Sequence, residues 1–506
     1  MTQPHPDNLD LLRQDLSAGP KTGQELEMAL DISGPTLSRL LARAGTQIER
    51  IGAARSTRYG LRRQVRDLGD EWPVFVVGSD ASVNQLGILR PLHGAYRFLP
   101  LVGGRNQLPP CVSDTVSPRL PFFLMSARPG GYLGRYIARR FSEESGTPAD
   151  VRDRGDDDSL EYFIRAGIDL PGNVLVGEWA KQRAEQDIAA ARVRRSEPLS
   201  HVRARYPEMI AQAHEGGTIG SSADGEQPKF LATVDGGGAG IHRSLIVKFS
   251  PPLSSPPGRR WADLLVCEHL AAMIINRAGG NAAKNDVYFD HGRCFLESER
   301  FDRTASLGRT GVIGIGAITY AVTGRGADHW GHAAKSLEKR GVLSASDVRA
   351  IFWVRCFGSL IANEDMHEAN AALLWERGSN LRFAPVYDML PMLYRPNEQG
   401  EVVPRAFQPD APDSDTEGVW GTASEAACDF WEAVATDRRV SEPMRHEAAR
   451  NAEKIASLRQ SVRKQISLGE LGPLSSALRP PIVEPTTKEV SPPAESDGGS
   501  DPELPT

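Results

Sequence analysis

The alternation of apolar and polar positions divides this chain into stretches with different periods. Near the start, "LDLLRQDL" places leucine at 9, 11, 12 and 16, a helical spacing. "TGQE" (Thr22–Glu25) has the form of a capping box opening "LEMAL". In "SGPTLSRLLARA", Ser33 stands where a helix cap belongs, and Leu37, Leu40 and Leu41 form an inner stripe. "IERIGAARSTRYGL" then alternates into a turn and back out. Three helices and a hairpin in this order predict a winged helix-turn-helix over residues 1–66.

Further along the period becomes two. "EWPVFVVGSDASVNQLGIL" and "YRFLPLVGG" read as strands. "LPFFLMSARPGGYLGRYIARRF" reads as a loop with Pro-Gly-Gly and then a helix. "GDDDS" (Gly155–Ser159) reads as a solvated turn or cap. "KFLATVD" and "SLIVKFS" read as two strands, and "GGGAG" between them as a hairpin turn in preference to a phosphate cradle. "IFWVRCFGSL" is apolar enough to be a buried helix. "NAALLWERGSNLRF" reads as a hairpin leading into a buried strand, Phe383–Tyr387, that ends at Asp388. The stretch "LRPPIVEPTTKEVSPPAESDGGSDPELPT" is rich in proline, serine and acid, which predicts a disordered tail over 476–506. No internal repeat is found.

Composition narrows the class. At 506 residues there is room for two or three domains, and 40% hydrophobic with 25% charged residues is ordinary for a soluble globular protein. A net charge of -6 gives no overall attraction to nucleic acid, so any DNA contact must be local. One patch qualifies. From Arg39 to Arg63 stand seven arginines (39, 43, 50, 55, 58, 62 and 63) against one acid, Glu49. Arg39, Arg43, Arg55 and Arg58 are placed on the predicted recognition helix and wing, where they could neutralise phosphates. The alternative is the solvated basic face of a protein-binding module. Five scattered cysteines without CxxC spacing point to reduced thiols in a cytosolic protein, and to neither disulfides nor zinc. "MTQPHPDNLD" lacks the apolar region of a signal peptide, and no apolar run approaches the roughly 20 residues needed to cross a bilayer.

The chemistry gathers in "IANEDMHEAN" (Ile361–Asn370), a polar knot straight after the apolar helix. Asp365 and Asn370 have the D-x-x-x-x-N spacing of a kinase catalytic loop. One carboxylate there accepts the proton of the attacking hydroxyl, and one amide oxygen holds Mg²⁺. Alone, this spacing is common. Asp388 follows a strand, as a second metal carboxylate would, or as a turn aspartate would. Lys248 ends an apolar strand in the manner of a phosphate-pairing lysine, or of a solvated edge residue. "GTIGSSADGEQPKF" (Gly217–Phe230) is a Gly/Ser-rich loop before a strand, suited to bringing backbone N–H groups to phosphate. The order of these parts, loop, strand lysine, Asp with Asn five on, and strand-end Asp, is that of an ATP–Mg²⁺ site between two lobes.

"SSADGEQPKF", "LIVKFS", "LESERFDR", "ANEDMHEAN" and "APVYDMLP" resemble the motifs of the HipA-like serine/threonine kinases, toxins of toxin–antitoxin operons, over residues 70–470. Within that family the chain is similar to the YjjJ-type variants that carry their own winged helix. The resemblance implies an α+β, bilobal, protein-kinase-like fold. Its expected parts are a small β-rich subdomain (67–145), an N-lobe with loop and hinge (146–302) and a helical C-lobe (303–475). It implies Asp365 as catalytic base, Asn370 and Asp388 as Mg²⁺ ligands, and His367 in the same loop. Lys248 would hold ATP phosphates, Tyr387 would lie beside the nucleotide, and Glu299, Arg300 and Phe301 would form the hinge at adenine. Asp224, Gly225, Glu226, Gln227 and Lys229 would fill the phosphate loop, and Ser222 would be its autophosphorylated serine. Many members pair the lysine with a glutamate on the next helix. Asp263 and Glu268 are both candidates here. Implied partners are a protein substrate tied to translation, such as an aminoacyl-tRNA synthetase, a separate antitoxin, and DNA through the N-terminal module. Two readings compete with an active protein kinase: a DNA-binding regulator whose kinase domain senses ATP, and a small-molecule kinase.

Overall fold

A computed structural model of the chain describes residues 7–53, 57–101, 108, 116–128, 141–142, 146–148, 150, 153–215, 227–376 and 380–469. Of the predicted Pro-Gly-Gly loop and following helix, Leu120–Arg128 and Phe141 are described, and Phe122–Met125 is helical where a loop was expected; the Pro-Gly-Gly itself, the rest of that helix and the predicted tail lie outside them. Helices α1 (Asn8–Leu16), α2 (Gly23–Leu30) and α3 (Gly34–Ala44) bury Leu12, Leu16, Leu26, Leu37 and Leu40 in one core. The capping box is formed: the Thr22 hydroxyl accepts from the Glu25 N–H at 3.2 Å, and the Glu25 carboxylate accepts from the Thr22 N–H at 2.7 Å. Ser33 makes no capping bond, and its hydroxyl meets that of Thr36 at 3.0 Å instead. The expected hairpin is β2 (Ile48–Ile51) with β3 (Arg58–Leu61), joined by an extra strand β1 (Lys21–Thr22) in the order β1-β3-β2.

A five-stranded antiparallel sheet follows, β4 (Trp72–Val77), β5 (Val83–Leu92), β6 (Ala95–Pro100), β7 (Val116–Ser117) and β8 (Val174–Val176), in the order β7-β6-β5-β4-β8. Helices α4 (Phe122–Met125), α5 (Asp156–Arg165) and α6 (Glu178–Val193) accompany it. The stretch "GDDDS" is a cap, with the Asp158 carboxylate accepting from the Gly155 N–H at 2.7 Å, but it is not solvated. Its aspartates form the first turn of α5 and receive arginines, Asp156 from Arg119 and Arg128 and the next two from residues 63 and 66. Arg63 forks onto Asp157 at 2.6 and 2.8 Å, and Arg66 binds Asp158 and Glu161, both buried. Arg62 pairs with Asp70 at 2.8 Å. In the other direction, buried Glu49 takes Arg90 and Arg97. Burying a carboxylate is tolerable only when it is paired and hydrogen-bonded, and forked guanidiniums supply both.

The third sheet lies between helices. After α7 (Leu199–Ala204) and α8 (Tyr206–Glu215) come β9 (Lys229–Gly238), β10 (Ile241–Phe249), α9 (Pro256–Arg277), β11 (Asn285–Asp290) and β12 (Arg293–Glu299), ordered β11-β12-β10-β9. Alternation along β10 decides what each face does. Leu245, Val247 and Phe249 join Tyr206, Phe230 and Phe295 in a core on one side, while Lys248 points to the other, toward α9. Helix α9 starts at a Ser255 cap that accepts from the Gly258 N–H at 3.1 Å.

The last part holds β13 (Gly311–Gly314), α10 (Ile315–Thr323), α11 (Trp330–Glu338), α12 (Ala345–Leu360), β14 (Ala372–Trp375), β15 (Arg382–Phe383), α13 (Glu417–Thr436) and α14 (Glu442–Gly469). Trp330, Phe357, Phe430 and Trp431 are fully buried among these helices. The predicted strand Phe383–Tyr387 is shorter than expected. The last bond to β14 is the Ala384 N–H donating to the Ala372 carbonyl at 2.9 Å. The chain then bonds elsewhere: Val386 donates to the Asn281 carbonyl at 2.8 Å and accepts from Ala283 at 2.9 Å. That switch ties Val386 to the segment following α9, and Asp388, two residues on, meets Lys248 and Glu268. Residues 1–459 form one compact unit. A second begins at Gln460, and its described residues are the end of α14. No helix among the described residues is long and apolar enough to cross a membrane.

A Cβ built on Gly258 would stand 2.0 Å from the Pro252 carbonyl oxygen. Gly258→Ala should therefore cost about 1–3 kcal/mol through overpacking. The expected result is a lower urea midpoint with an unchanged m-value.

Candidate active site

Four sequence-distant elements meet around one lysine. The Lys248 ammonium donates to both oxygens of Glu268 on α9, each at 2.6 Å, and also contacts the Asp388 carboxylate. Glu268 additionally accepts from the Asp388 backbone N–H at 3.3 Å. Lys248 and Glu268 are buried, and Asp388 is partly so. Burial works against the Lys248 charge, but the Asp388 and Glu268 carboxylates outweigh it and hold the ammonium above the ordinary lysine range. Burial likewise opposes ionisation of Asp388, yet Lys248 and then Lys229 bring its carboxyl down to about 2. Glu268 goes the other way, raised by burial and by the neighbouring Asp388 charge. Lys229 pairs across from Lys248 in the sheet register and so presents to the same face.

The polar knot after α12 is fastened to this centre by one buried amide that the sequence reading did not single out. Asn363 accepts from the Asp365 N–H at 3.0 Å, and its own amide approaches the Asp388 carbonyl at 3.4 Å. Tyr387 adds a second tie, its hydroxyl donating to the Ala369 carbonyl at 3.1 Å. The Asn370 amide donates to the Asp365 carbonyl at 2.7 Å through its nitrogen, which leaves Oδ1 as the atom that could hold a cation. The His367 Nδ1 accepts from the Ala369 N–H at 3.2 Å, so the neutral ring carries its proton on Nε2, 3.7 Å from an Asp365 oxygen. Asp365 keeps two-fifths of its side-chain surface open. Two non-glycine residues at the site, Ala362 (φ 61) and Asp388 (φ 53), sit in left-handed backbone. Such conformations persist where surrounding bonds over-determine them, and they gather at functional sites.

The other predicted residues fall at graded distances from this centre. Phe301 faces Tyr387 with ring centroids 5.8 Å apart. Glu299 pairs with Arg243 at 2.7 Å. The Arg300 guanidinium is committed to Asp302 and Asp169, at 2.9 and 2.8 Å. Gln227 donates to the Phe249 carbonyl at the end of β10. Ser222, Asp224, Gly225 and Glu226 lie outside the described residues. Between the two acids on α9, the structure chooses Glu268. Asp263 instead accepts from the N–H and hydroxyl of Ser441, at 2.7 and 2.6 Å. Five residues on a helix rotate about 140° past a full turn, so both acids could not face the sheet. Which one does depends on packing. In the N-terminal module Arg39 is exposed, Arg43 pairs with Asp7 at 2.8 Å, Arg58 is half-buried and Arg55 lies outside the described residues.

Known proteins resemble this chain. A family model described as YjjJ-like toxin, middle domain, matches residues 68–185, and one described as HipA-like C-terminal domain matches residues 221–463. Toxin YjjJ of Escherichia coli (strain K12) is 32% identical over 455 residues, covering 90% of this chain and 98% of that protein. A chain from the Shewanella oneidensis MR-1 toxin–antitoxin complex of HipA, HipB and operator DNA matches in fold. Its TM-score is 0.51 at 13% identity, covering 76% of this chain and 97% of that one. The Helicobacter pylori proinflammatory kinase CtkA gives a TM-score of 0.32, too low to argue from.

Replacing Lys248 by methionine leaves two carboxylates facing each other. Removing one partner of a buried ion pair costs roughly 3–5 kcal/mol. The mutual repulsion raises a folded-state carboxyl pKa, so the deficit should be largest at pH 8 and shrink toward pH 5, where one carboxyl takes a proton. Urea unfolding of Lys248→Met and wild type at both pH values, in chelator, reads this directly. An equal deficit at both would mean the carboxylates do not interact.

Proposed function

Since the chain belongs to the family of YjjJ- and HipA-like toxins, we propose that it is an ATP- and Mg²⁺-dependent serine/threonine protein kinase acting as a toxin. The observation that carries this reading is the meeting of Lys248, Glu268 and Asp388, with the Asp365–Asn370 loop tied to it through Asn363. A strand lysine paired with a helix glutamate is what a kinase uses to fix phosphates.

The residues take distinct roles. Lys248 releases Asp388 and turns to ATP phosphate. Asn370 Oδ1 and Asp388 offer hard oxygen donors that suit Mg²⁺, which neutralises phosphate charge when bound. Asp365, exposed on its loop, accepts the proton of the substrate hydroxyl while that oxygen bonds to the γ-phosphorus and ADP leaves. The His367 Nε2 stands 3.7 Å from an Asp365 oxygen, on the same loop. Phe301 and Tyr387 flank the base, with backbone of Glu299–Phe301 as the hinge. Arg300 acts through its chain alone, because its guanidinium is already committed. The loop carrying Asp224, Gly225, Glu226 and Gln227 covers the phosphates, with Ser222 as its autophosphorylation site, and Lys229 at the start of β9 meets them from the same face as Lys248. A phosphoserine brings about -1.5 to -2 charges to a place built for phosphate, which would expel the loop and silence the enzyme.

Partners follow from the same reading. The N-terminal three-helix module with its hairpin is a winged helix that binds DNA through Arg39, Arg43, Arg55 and Arg58. The Shewanella HipA was solved with HipB and operator DNA, which supports a protein antitoxin and DNA as partners here. The substrate is a translation protein such as an aminoacyl-tRNA synthetase. A second reading, a DNA-binding regulator that senses ATP, is favoured by the ion-paired attachment of the N-terminal module to the next sheet.

With γ-labelled ATP and Mg²⁺, the wild-type chain should label Ser222 and a protein in cell extract. Asp365→Ala should lose at least a thousand-fold in transfer, in keeping with a lost catalytic base and its electrostatics, while retaining nucleotide. Label on a metabolite alone, or none at all with tight DNA binding, would sink the protein-kinase reading. For DNA, Arg39→Ala with Arg58→Ala should weaken binding across sequences and lower the log–log salt slope by about two. An unchanged slope would remove this face from the interface.

A further inference from the structure

The Asp365–Asn370 loop is held on its outer side by groups that neither the motif nor the proposed mechanism uses. The Trp330 indole N–H, on a side chain only 2% exposed, donates to the His367 carbonyl at 2.8 Å. The Asn370 N–H donates to that same oxygen at 3.0 Å, so both its lone pairs are engaged. One residue on, Glu368 accepts from the Ala327 N–H at 3.0 Å. Gly316 on α10 makes this possible: a Cβ there would stand 2.3 Å from a Glu368 oxygen and 3.0 Å from its Cβ. The loop backbone is thus bolted to the α10–α11 segment midway between the base and the amide ligand.

We propose that Trp330 and Glu368 are positioning residues that fix the Asp365–Asn370 loop for phosphoryl transfer, an inference that rests on the kinase reading. Near-attack geometry tolerates little: a shift of about 1 Å can cost around a hundred-fold in rate. Neither side chain belongs to the lysine–carboxylate centre, so nucleotide affinity is left to Lys248 and Asp388. The two act on turnover and not on ATP capture.

The test uses the full-length chain. Trp330→Phe keeps one aromatic ring and removes the N–H together with part of the buried indole, so the Glu368 variants separate the lost bond from the lost packing. Trp330→Phe should lower kcat for γ-phosphate transfer at least ten-fold with KM for ATP within two-fold. Glu368→Ala should do the same, and Glu368→Gln, which keeps an acceptor for Ala327, should restore most of the rate. Trp353→Phe, the same deletion at an indole that donates to Thr422, should change nothing. Hydrogen–deuterium exchange over residues 361–371 should quicken at least ten-fold in Trp330→Phe and Glu368→Ala. Because Glu368 is only half-buried, its variants remain informative if Trp330→Phe fails to fold. Unchanged loop exchange in Glu368→Ala overturns the inference. A wild-type chain that transfers no phosphate sinks the kinase reading instead, and exchange still decides the clamp.

Discussion

An ammonium taken out of water between two carboxylates is stable only as a set. Lys248 would be forced to lose its proton if it were buried alone, and Glu268 and Asp388 would repel each other without it. The three side chains come from a strand, the helix after it, and a turn 140 residues further on. Their mutual dependence welds β10, α9 and the segment after β15 into one body. Much else follows from that weld. Between Ala384 and Val386 the chain passes from β14 to residues 281–283, and Asp388, in left-handed backbone, contacts the lysine. Asn363 then hangs the polar knot from the Asp388 carbonyl. The site is a consequence of where the chain must go to neutralise one charge.

Some of this was legible in the residues and some was not, for physical reasons. The capping box at Thr22–Glu25 and the two strands of the Gly-rich hairpin were readable because they depend on neighbours in sequence. The motif residues Lys248, Asp365, Asn370 and Asp388 could be named from residue type and order. Their joining could not, because it rests on contacts between elements over a hundred residues apart. Asn363 escaped notice, since an asparagine in a polar stretch carries no signature until its two partners are placed. Glu268 could be narrowed to one of two helix acids, and only packing decided between them. The run Phe383–Tyr387 reads as a single strand because its residues are apolar, and the change of partner from Ala372 at Ala384 to Asn281 at Val386 leaves no mark in residue type.

Counting charges along the chain misjudged the N-terminal module in a similar way. Seven arginines against one acid read as a basic face. In the structure Arg62 and Arg63 turn inward to Asp70 and Asp157, and the lone acid Glu49 is consumed by Arg90 and Arg97. The triple aspartate of α5, read as a solvated turn or cap, does cap its helix, and its Asp157 is the partner of Arg63. Linear charge density reports neither the direction of a guanidinium nor the distance to its acid. A run of like charge therefore divides into an outward share and a structural share, and only the outward share, with Arg39 at its head, can meet a polyanion.

Gly316 and Glu368 occupy one small space between α10 and the end of the polar knot. The room taken by a carboxylate arm at 368 is the room denied to any side chain at 316. The two positions should therefore drift as a pair through descent: lineages that shorten the acid gain licence to enlarge the glycine, and those that keep the acid do not. A lineage found with bulk at both sites would have had to rebuild the bend that follows α12.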